Sequence, residues 1–155
     1  MKESEEIRES MGLHRGKRLD NGKWAYGFYA KELRVSLRSS DKDRLAHVII
    51  YLDNDLFVPD YVSTEVYPFS VGMISGSKDA LTGKPIYERD LIRFKEIPQK
   101  PQGLYEVVYG HGTFYLKEHK PDWFFKNLDG KPMIDFGYAV YVVGNTFENK
   151  EMLDE

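Results

Sequence analysis

Hydrophobic and polar residues alternate along much of the chain in short runs, a pattern typical of half-buried β-strands. The clearest run, residues 24–31, would place two sets of side chains on opposite sides of a strand: Trp24, Tyr26, Phe28 and Ala30, and Ala25, Gly27, Tyr29 and Lys31. Asp20-Asn21-Gly22 precedes this run, and Asn-Gly favours a type I′ turn, in which both central residues have positive φ. The pattern therefore predicts a β-hairpin with arms at residues 15–19 and 23–30.

Other apolar runs predict further strands. The β-branched segments at residues 47–52 and 138–144 suit buried strands. A second hairpin is predicted around Gly110-His111-Gly112, with arms at residues 104–109 and 113–117. Residues 86–94 do not alternate cleanly, which indicates a turn or a bulge near Arg89 and Asp90.

Helical periodicity is confined to short segments. In residues 2–11, Ile7 and Met11 would share one helical face, and this segment is either a short helix or a frayed tail. Short helices are also predicted at residues 121–128 and, as an alternative to an acidic tail, at residues 149–155. Many short strands and little helix predict a mainly β fold, a small barrel or roll with strand hairpins and short peripheral helices. We expect residues 1–12 to be an N-terminal helix or flexible extension, and residues 13–155 to form a single domain.

Composition excludes several classes of function. The 155 residues contain no cysteine, which rules out disulfides, cysteine-bound metals and thiol catalysis. The net charge of −3 is not that of a dedicated DNA-binding domain, which is usually strongly basic. No segment is long and apolar enough to span a bilayer, and the polar, acidic start is not a secretory signal. We therefore expect a cytoplasmic protein without a membrane partner.

Three segments together resemble a known family in their order and spacing: residues 15–27 (RGKRLDNGKWAYG), 76–92 (GSKDALTGKPIYERDLI) and 143–153 (VGNTFENKEML). They are similar to the YopX family, small proteins of phages and prophages, mainly of low-GC Gram-positive bacteria. The positions that match the family pattern are Gly16, Asp20, Gly22, Trp24, Gly27, Gly76, Asp79, Gly83, Tyr87, Glu88, Asp90, Gly144 and Asn145. The resemblance implies an SH3-like barrel core and a place in the bacterial host cytoplasm. It implies no biochemical activity.

One position departs from the family pattern. Arg89 stands between Glu88 and Asp90, where the family usually has glycine. A residue with a Cβ at this position implies one of two things: the turn needs no positive φ, or it tolerates backbone strain.

Candidate catalytic groups are few. Glu88 and Asp90 are two positions apart and could do acid–base work or hold Mg²⁺, but Asp also readily accepts hydrogen bonds from turn amides. His111 and His119 lie on a predicted hairpin and could approach each other, but a metal site needs a third ligand that the sequence does not supply. We therefore expect a protein that is not an enzyme and needs no metal or cofactor. A metal-dependent hydrolase using Glu88 and Asp90 is the weakest alternative.

An aromatic cluster is the first candidate for binding. Trp123, Phe124 and Phe125 are consecutive apolar residues in a polar surround. Exposed, they would form a protein-binding patch; buried, they would seal one end of the barrel. Our leading hypothesis is a non-enzymatic module that binds a host or phage protein, or a second copy of itself as a homo-oligomer.

A basic cluster is the second candidate. Arg15, Lys17, Arg18 and Lys23 surround Trp24 on the first predicted hairpin. Basic residues interleaved with aromatic ones are what single-stranded nucleic acids bind, through phosphate pairing and base stacking. The alternative is a solvated hairpin whose aromatic side chains enter the core. A nucleic-acid-binding module that uses residues 15–29 is therefore the alternative function.

Overall fold

The computed structural model describes residues 13–35, 37–38, 42–95, 103–121, 127–133 and 139–154. Strands dominate these residues, so the mainly β prediction is confirmed. The strands form antiparallel sheets, and within the described residues they do not close into the barrel that the resemblance implies. The predicted segment at residues 2–11 and the cluster of Trp123, Phe124 and Phe125 lie outside the described residues. No helix among those described is both long and apolar enough to cross a membrane.

The described residues contain ten strands: β1 (His14–Lys17), β2 (Trp24–Arg34), β3 (Arg44–Asp53), β4 (Asp60–Glu65), β5 (Gly72–Lys78), β6 (Pro85–Tyr87), β7 (Asp90–Phe94), β8 (Leu104–Gly110), β9 (Thr113–Lys120) and β10 (Val140–Asn145). A 3₁₀ turn covers Pro68–Ser70, and one helical turn, α1, covers Glu151–Asp154. The chain divides into two compact units, Met1–Met73 and Ile74–Glu155. The expectation of a single domain over residues 13–155 stays a prediction.

In the first unit the strands pair in the order β4-β3-β2-β1, and Gly72 and Met73 pair with β1. One buried cluster contains Ala25, Ile49 and Val66, and Ala46 and Val48, on the opposite side of β3 from Ile49, are buried as well. Val66 also forms a β-bridge with Arg18, which connects the end of β4 back to the end of β1. The strands therefore wrap around a small apolar core.

The first hairpin is confirmed, but its turn is not the predicted type. Arg18 N–H donates to Lys23 C=O at 2.9 Å and Gly22 N–H donates to Arg18 C=O at 3.1 Å, so the loop is longer than a two-residue I′ turn. Gly22 has a φ of +67°, whereas Asn21 is not left-handed. The Asn21 side chain instead accepts the Lys23 N–H at 2.9 Å. The Asn-Gly pair thus stabilises the turn through a side-chain acceptor followed by a left-handed glycine.

The second unit contains a sheet in the order β10-β7-β8-β9 and a short ladder between β5 and β6. Its core contains Ile86, Phe94, Tyr105 and Leu116, all buried, and Phe94 and Tyr105 make an edge-to-face contact with centroids 5.5 Å apart. The predicted second hairpin is confirmed as β8 and β9, joined at His111-Gly112. The predicted β10 and the short C-terminal helix are also present.

The irregular segment at residues 86–94 divides into β6 and β7, with a turn at Glu88 and Arg89 between them. Arg89 has a φ of +75°, in the left-handed region. The turn therefore does need positive φ, and a non-glycine residue takes the strain there. Hydrogen bonds hold the peptide groups on both sides of Arg89: its N–H donates to Val107 C=O at 2.7 Å, and its C=O accepts the Thr146 N–H at 3.0 Å.

Candidate functional site

The first unit presents one sheet face that is richer in aromatic and apolar side chains than in charge. Residues directly opposite in antiparallel strands point to the same side. The register pairs Arg15 with Tyr26, Lys17 with Trp24, Phe28 with Ile50 and Leu52 with Tyr61. We call this set, Arg15, Lys17, Trp24, Tyr26, Phe28, Ile50, Leu52 and Tyr61, the outer face. It lies opposite the side of Ala25 and Ile49, and its own side of β3 is buried further along the strand, at Val48 and Ala46.

One end of the outer face stacks two cations on one indole ring. The Arg15 guanidinium lies 4.4 Å and the Lys17 ammonium 4.8 Å from the centroid of Trp24. Such contacts contribute about 0.5–1 kcal/mol each at exposed sites. Three of the five predicted residues, Arg15, Lys17 and Trp24, therefore lie in contact as basic and aromatic neighbours.

The other two basic residues lie apart from this stack. Arg18 donates two hydrogen bonds to the carboxylate of Asp20, at 2.9 and 2.7 Å. This pairing holds the pKa of Asp20 below its usual value. Lys23 is exposed at the turn, where its main chain completes the hairpin. The predicted basic cluster is thus a pair of stacked cations plus a neutralised arginine and a solvated lysine.

The other end of the outer face exposes apolar surface. Phe28 is 51% and Tyr61 is 64% exposed, and Leu52 lies between them. The loop from β3 to β4 adds Phe57, which is fully exposed at 105%, with Leu56 and Val58 beside it also exposed. Single exposed apolar residues are ordinary, whereas a contiguous group of them marks a binding surface. No binding surface was predicted at residues 56–58, because three consecutive apolar residues are equally typical of a short strand.

An open groove of about 500 Å³ lies beside β4. Its lining includes Arg18, Asp20, Tyr51, Asp53, Ser63 and Glu65. Arg44 donates to Glu65 at 2.8 Å, and this ion pair holds the pKa of Glu65 below its usual value. The groove was not predicted, because it depends on the turn at Leu19 and Asp20 meeting a strand that lies more than forty residues later in the chain.

Two histidines flank a tyrosine on the inner side of the same unit. The Tyr29 hydroxyl lies 2.6 Å from His47 Nδ1, and the His14 ring centroid lies 5.8 Å from that of Tyr29. Burial lowers the pKa of His14, because the charged imidazolium would lose solvation there. These side chains come from three strands, so no local sequence pattern brings them together.

The family-like acidic and amide residues bind backbone groups. The Asp79 carboxylate accepts the amides of Leu81 at 2.7 Å, Thr82 at 2.9 Å and Val142 at 2.8 Å. Burial works to raise the pKa of Asp79, but these amide donors outweigh it and the pKa lies below its usual value. Asn145 likewise accepts the amide of Phe147 at 3.0 Å. These residues close turns in the second unit.

The matching glycines and Tyr87 also have structural roles. A Cβ at Gly27 would overlap the carbonyl oxygen of Ile50, and one at Gly16 would lie 2.9 Å from Val66 Cγ2. A Cβ at Gly144 would crowd Asn149. Gly76 and Gly83, like Gly22, have positive φ, and Tyr87 is buried.

The carboxylate pair and the histidine pair do not assemble a site. Asp90 is buried and accepts the Tyr87 amide at 2.9 Å, while Glu88 is half-buried in the turn. His111 lies at the tip of the second hairpin, whereas His119 contacts Glu106 at 2.8 Å near its open end. No group of three metal-ligating side chains occurs within the described ranges.

No family model matches the chain, and no curated protein matches it.

Proposed function

We propose that this protein is a non-enzymatic protein-binding module of a phage or prophage, related to the YopX family and acting in the bacterial host cytoplasm. The observation that carries the proposal is the exposure of Phe28, Leu52 and Tyr61 on one face of the first unit, together with that of Phe57 in the loop that joins β3 and β4. Exposed apolar side chains grouped in this way are typical of a protein-binding surface. The order and spacing of the three family-like segments support the phage origin.

Affinity capture with paired variants tests this function. The tagged wild-type chain is incubated with lysate of a low-GC Gram-positive host, and bound proteins are identified by mass spectrometry. Phe28→Ser combined with Phe57→Ser should abolish the specific capture, because it removes two exposed aromatic side chains of the first unit. Leu81→Ser is the matched control, since Leu81 is 59% exposed but lies in the second unit. The proposal is refuted if the double variant captures the same proteins as the wild type, or if the wild type captures none.

The same chain in light scattering tests self-association. A homo-oligomer that the double variant converts to monomer would make a second copy the partner of the outer face.

A second candidate function is binding of single-stranded nucleic acid at Arg15, Lys17 and Trp24. Two cations stacked on one indole favour it, because phosphates and bases need these two kinds of group side by side. Titration of labelled single-stranded DNA and RNA at low salt tests it, with Trp24→Ala as the variant and Lys117→Ala, on β9, as the control. No binding at low salt, where the electrostatic contribution is greatest, would rule it out.

A further inference from the structure

The groove beside β4 follows an open strand edge. Val66 N–H donates to His47 C=O at 2.9 Å, so the main-chain groups of Thr64 and Val62 also face β3. By the same alternation, the groups of Tyr61, Ser63 and Glu65 point away from β3. Two of these groups are already used: the Glu65 C=O accepts the Leu19 N–H at 3.1 Å, and the Tyr61 N–H donates to the Asp60 carboxylate at 2.8 Å.

Ser63 is the centre of the remaining edge. Its N–H and C=O point into the groove and have no partner among the described residues, while its hydroxyl contacts Glu32 on the outer face at 3.4 Å. Exposed strand edges of this kind accept extended peptides, which form main-chain hydrogen bonds and add a strand to the sheet.

The charge of the groove is acidic. One cation, Arg18, lines it together with three carboxylates, those of Asp20, Asp53 and Glu65. Arg18 is paired with Asp20 and Arg44 with Glu65, so of the three carboxylates only that of Asp53 has no cationic partner among the described residues. Asp60 stands directly opposite Asp53 across the two strands, and like charges in that position repel. A cation placed between them would relieve the repulsion.

We propose that the β4 edge binds an extended peptide segment with basic residues at alternate positions. In an added strand, every second side chain points to the inner side, where Asp53 and Asp60 lie. The intervening side chains point to the outer face beside Tyr61 and are therefore apolar. This inference rests on the proposed protein-binding function and names the chemistry of its partner.

A second copy of this chain fits the edge less well. Antiparallel pairing of β4 with a second copy about a two-fold axis through Ser63 would place Tyr61 opposite Glu65, because facing residues must lie on the same side of the sheet. β4 contains no cation, so a second copy would leave the repulsion between Asp53 and Asp60 unrelieved, and the occupant is a different, basic segment.

Fluorescence titration with two synthetic probes tests the proposal on the full chain. The probes are labelled acetyl-(Lys-Val)₃-amide and acetyl-(Glu-Val)₃-amide. The lysine peptide should bind, and the glutamate peptide should not. Asp53→Asn combined with Asp60→Asn should weaken the lysine peptide about fivefold, since each exposed ion pair contributes about 0.2–1 kcal/mol. Asp154→Asn, on α1, is the matched control and should leave affinity unchanged. Equal binding of both peptides, or no binding, overturns the proposal.

A backbone test separates edge pairing from general charge attraction. Ser63→Pro removes the outward N–H without breaking a bond to β3 and should abolish binding, whereas Ser63→Ala keeps the N–H and should bind as wild type. Where the proline variant fails to fold, hydrogen exchange of the wild type decides. The peptide should slow exchange of the Ser63 amide at least tenfold and leave that of Thr64 unchanged, and equal protection of both amides contradicts edge pairing. Because Phe28 and Phe57 are untouched, a failed peptide test with intact lysate capture would refute this inference alone.

Discussion

The turn between β6 and β7 offers the sharpest test of how the chain stores strain. Arg89 has a φ of +75°, and hydrogen bonds to Val107 and from Thr146 hold its peptide on both sides. The backbone therefore cannot relax to suit a residue with a Cβ. Arg89→Gly should stabilise the protein, because glycine adopts this conformation without steric cost.

The magnitude follows from two opposing effects. The left-handed conformation costs a residue with a Cβ about 1–2 kcal/mol. Glycine gives back about 0.4–1 kcal/mol, because it makes the unfolded chain more flexible. The net gain for Arg89→Gly is then about 0.5–1 kcal/mol, or a rise in Tm of about 1–4 °C for a chain of this size.

Arg89→Ala separates the backbone from the side chain. The alanine variant loses the arginine side-chain contacts but keeps the strained φ. Because the glycine variant loses the same contacts, their contribution cancels when the two variants are compared. In urea denaturation followed by circular dichroism, Arg89→Gly should exceed Arg89→Ala by about 1 kcal/mol in free energy of unfolding. Equal stability of the two variants, or greater stability of Arg89→Ala, would refute the assignment of strain to this turn.

Three further predictions concern packing and pH. Gly27→Ala should cost about 3 kcal/mol or more by urea denaturation, because its Cβ would overlap the Ile50 carbonyl, whereas Gly22→Ala meets open space and should cost about 1–2 kcal/mol from its φ alone. Because burial lowers the pKa of His14, stability should be complete above the unfolded value of about 6.5 and fall as pH drops through it; a His14→Gln variant with an unchanged slope between pH 7.5 and 5.5 would contradict this. The lowered pKa of Asp79 gives stability that is present above its unfolded pKa of about 3.9 and lost as pH falls below it. The Tm of Asp79→Asn should therefore fall less steeply below about pH 4 than that of the wild type.

Local patterns predicted the strands well because each depends on neighbouring residues. Alternation in residues 24–31 gave β2 and both of its sides, with Ala25 buried and Phe28 exposed. The irregularity near Arg89 indicated the break between β6 and β7. The turn at Asn21-Gly22 was located correctly but given the wrong type, because the pair tolerates several loop lengths and the flanking strands select one.

The candidate sites were predicted less well, since they depend on contacts between distant segments. Lys17 and Trp24 could be placed together because one hairpin joins them. The separation of Arg18 from that group could not, because it depends on which rotamer reaches Asp20. The groove at Ser63 depends on Leu19 meeting the end of β4, and nothing in either segment signals that contact.

The sequence by itself determined the mainly β character, the two hairpins and the absence of cysteine chemistry, since propensity, alternation and composition act over a few residues. Only the tertiary structure decided which residues form a surface. It brought Phe28, Leu52 and Tyr61 to one face and left the main chain of Ser63 at an open edge. Strand order and register set these neighbours, and they follow from burial summed over whole sheets rather than from any local pattern.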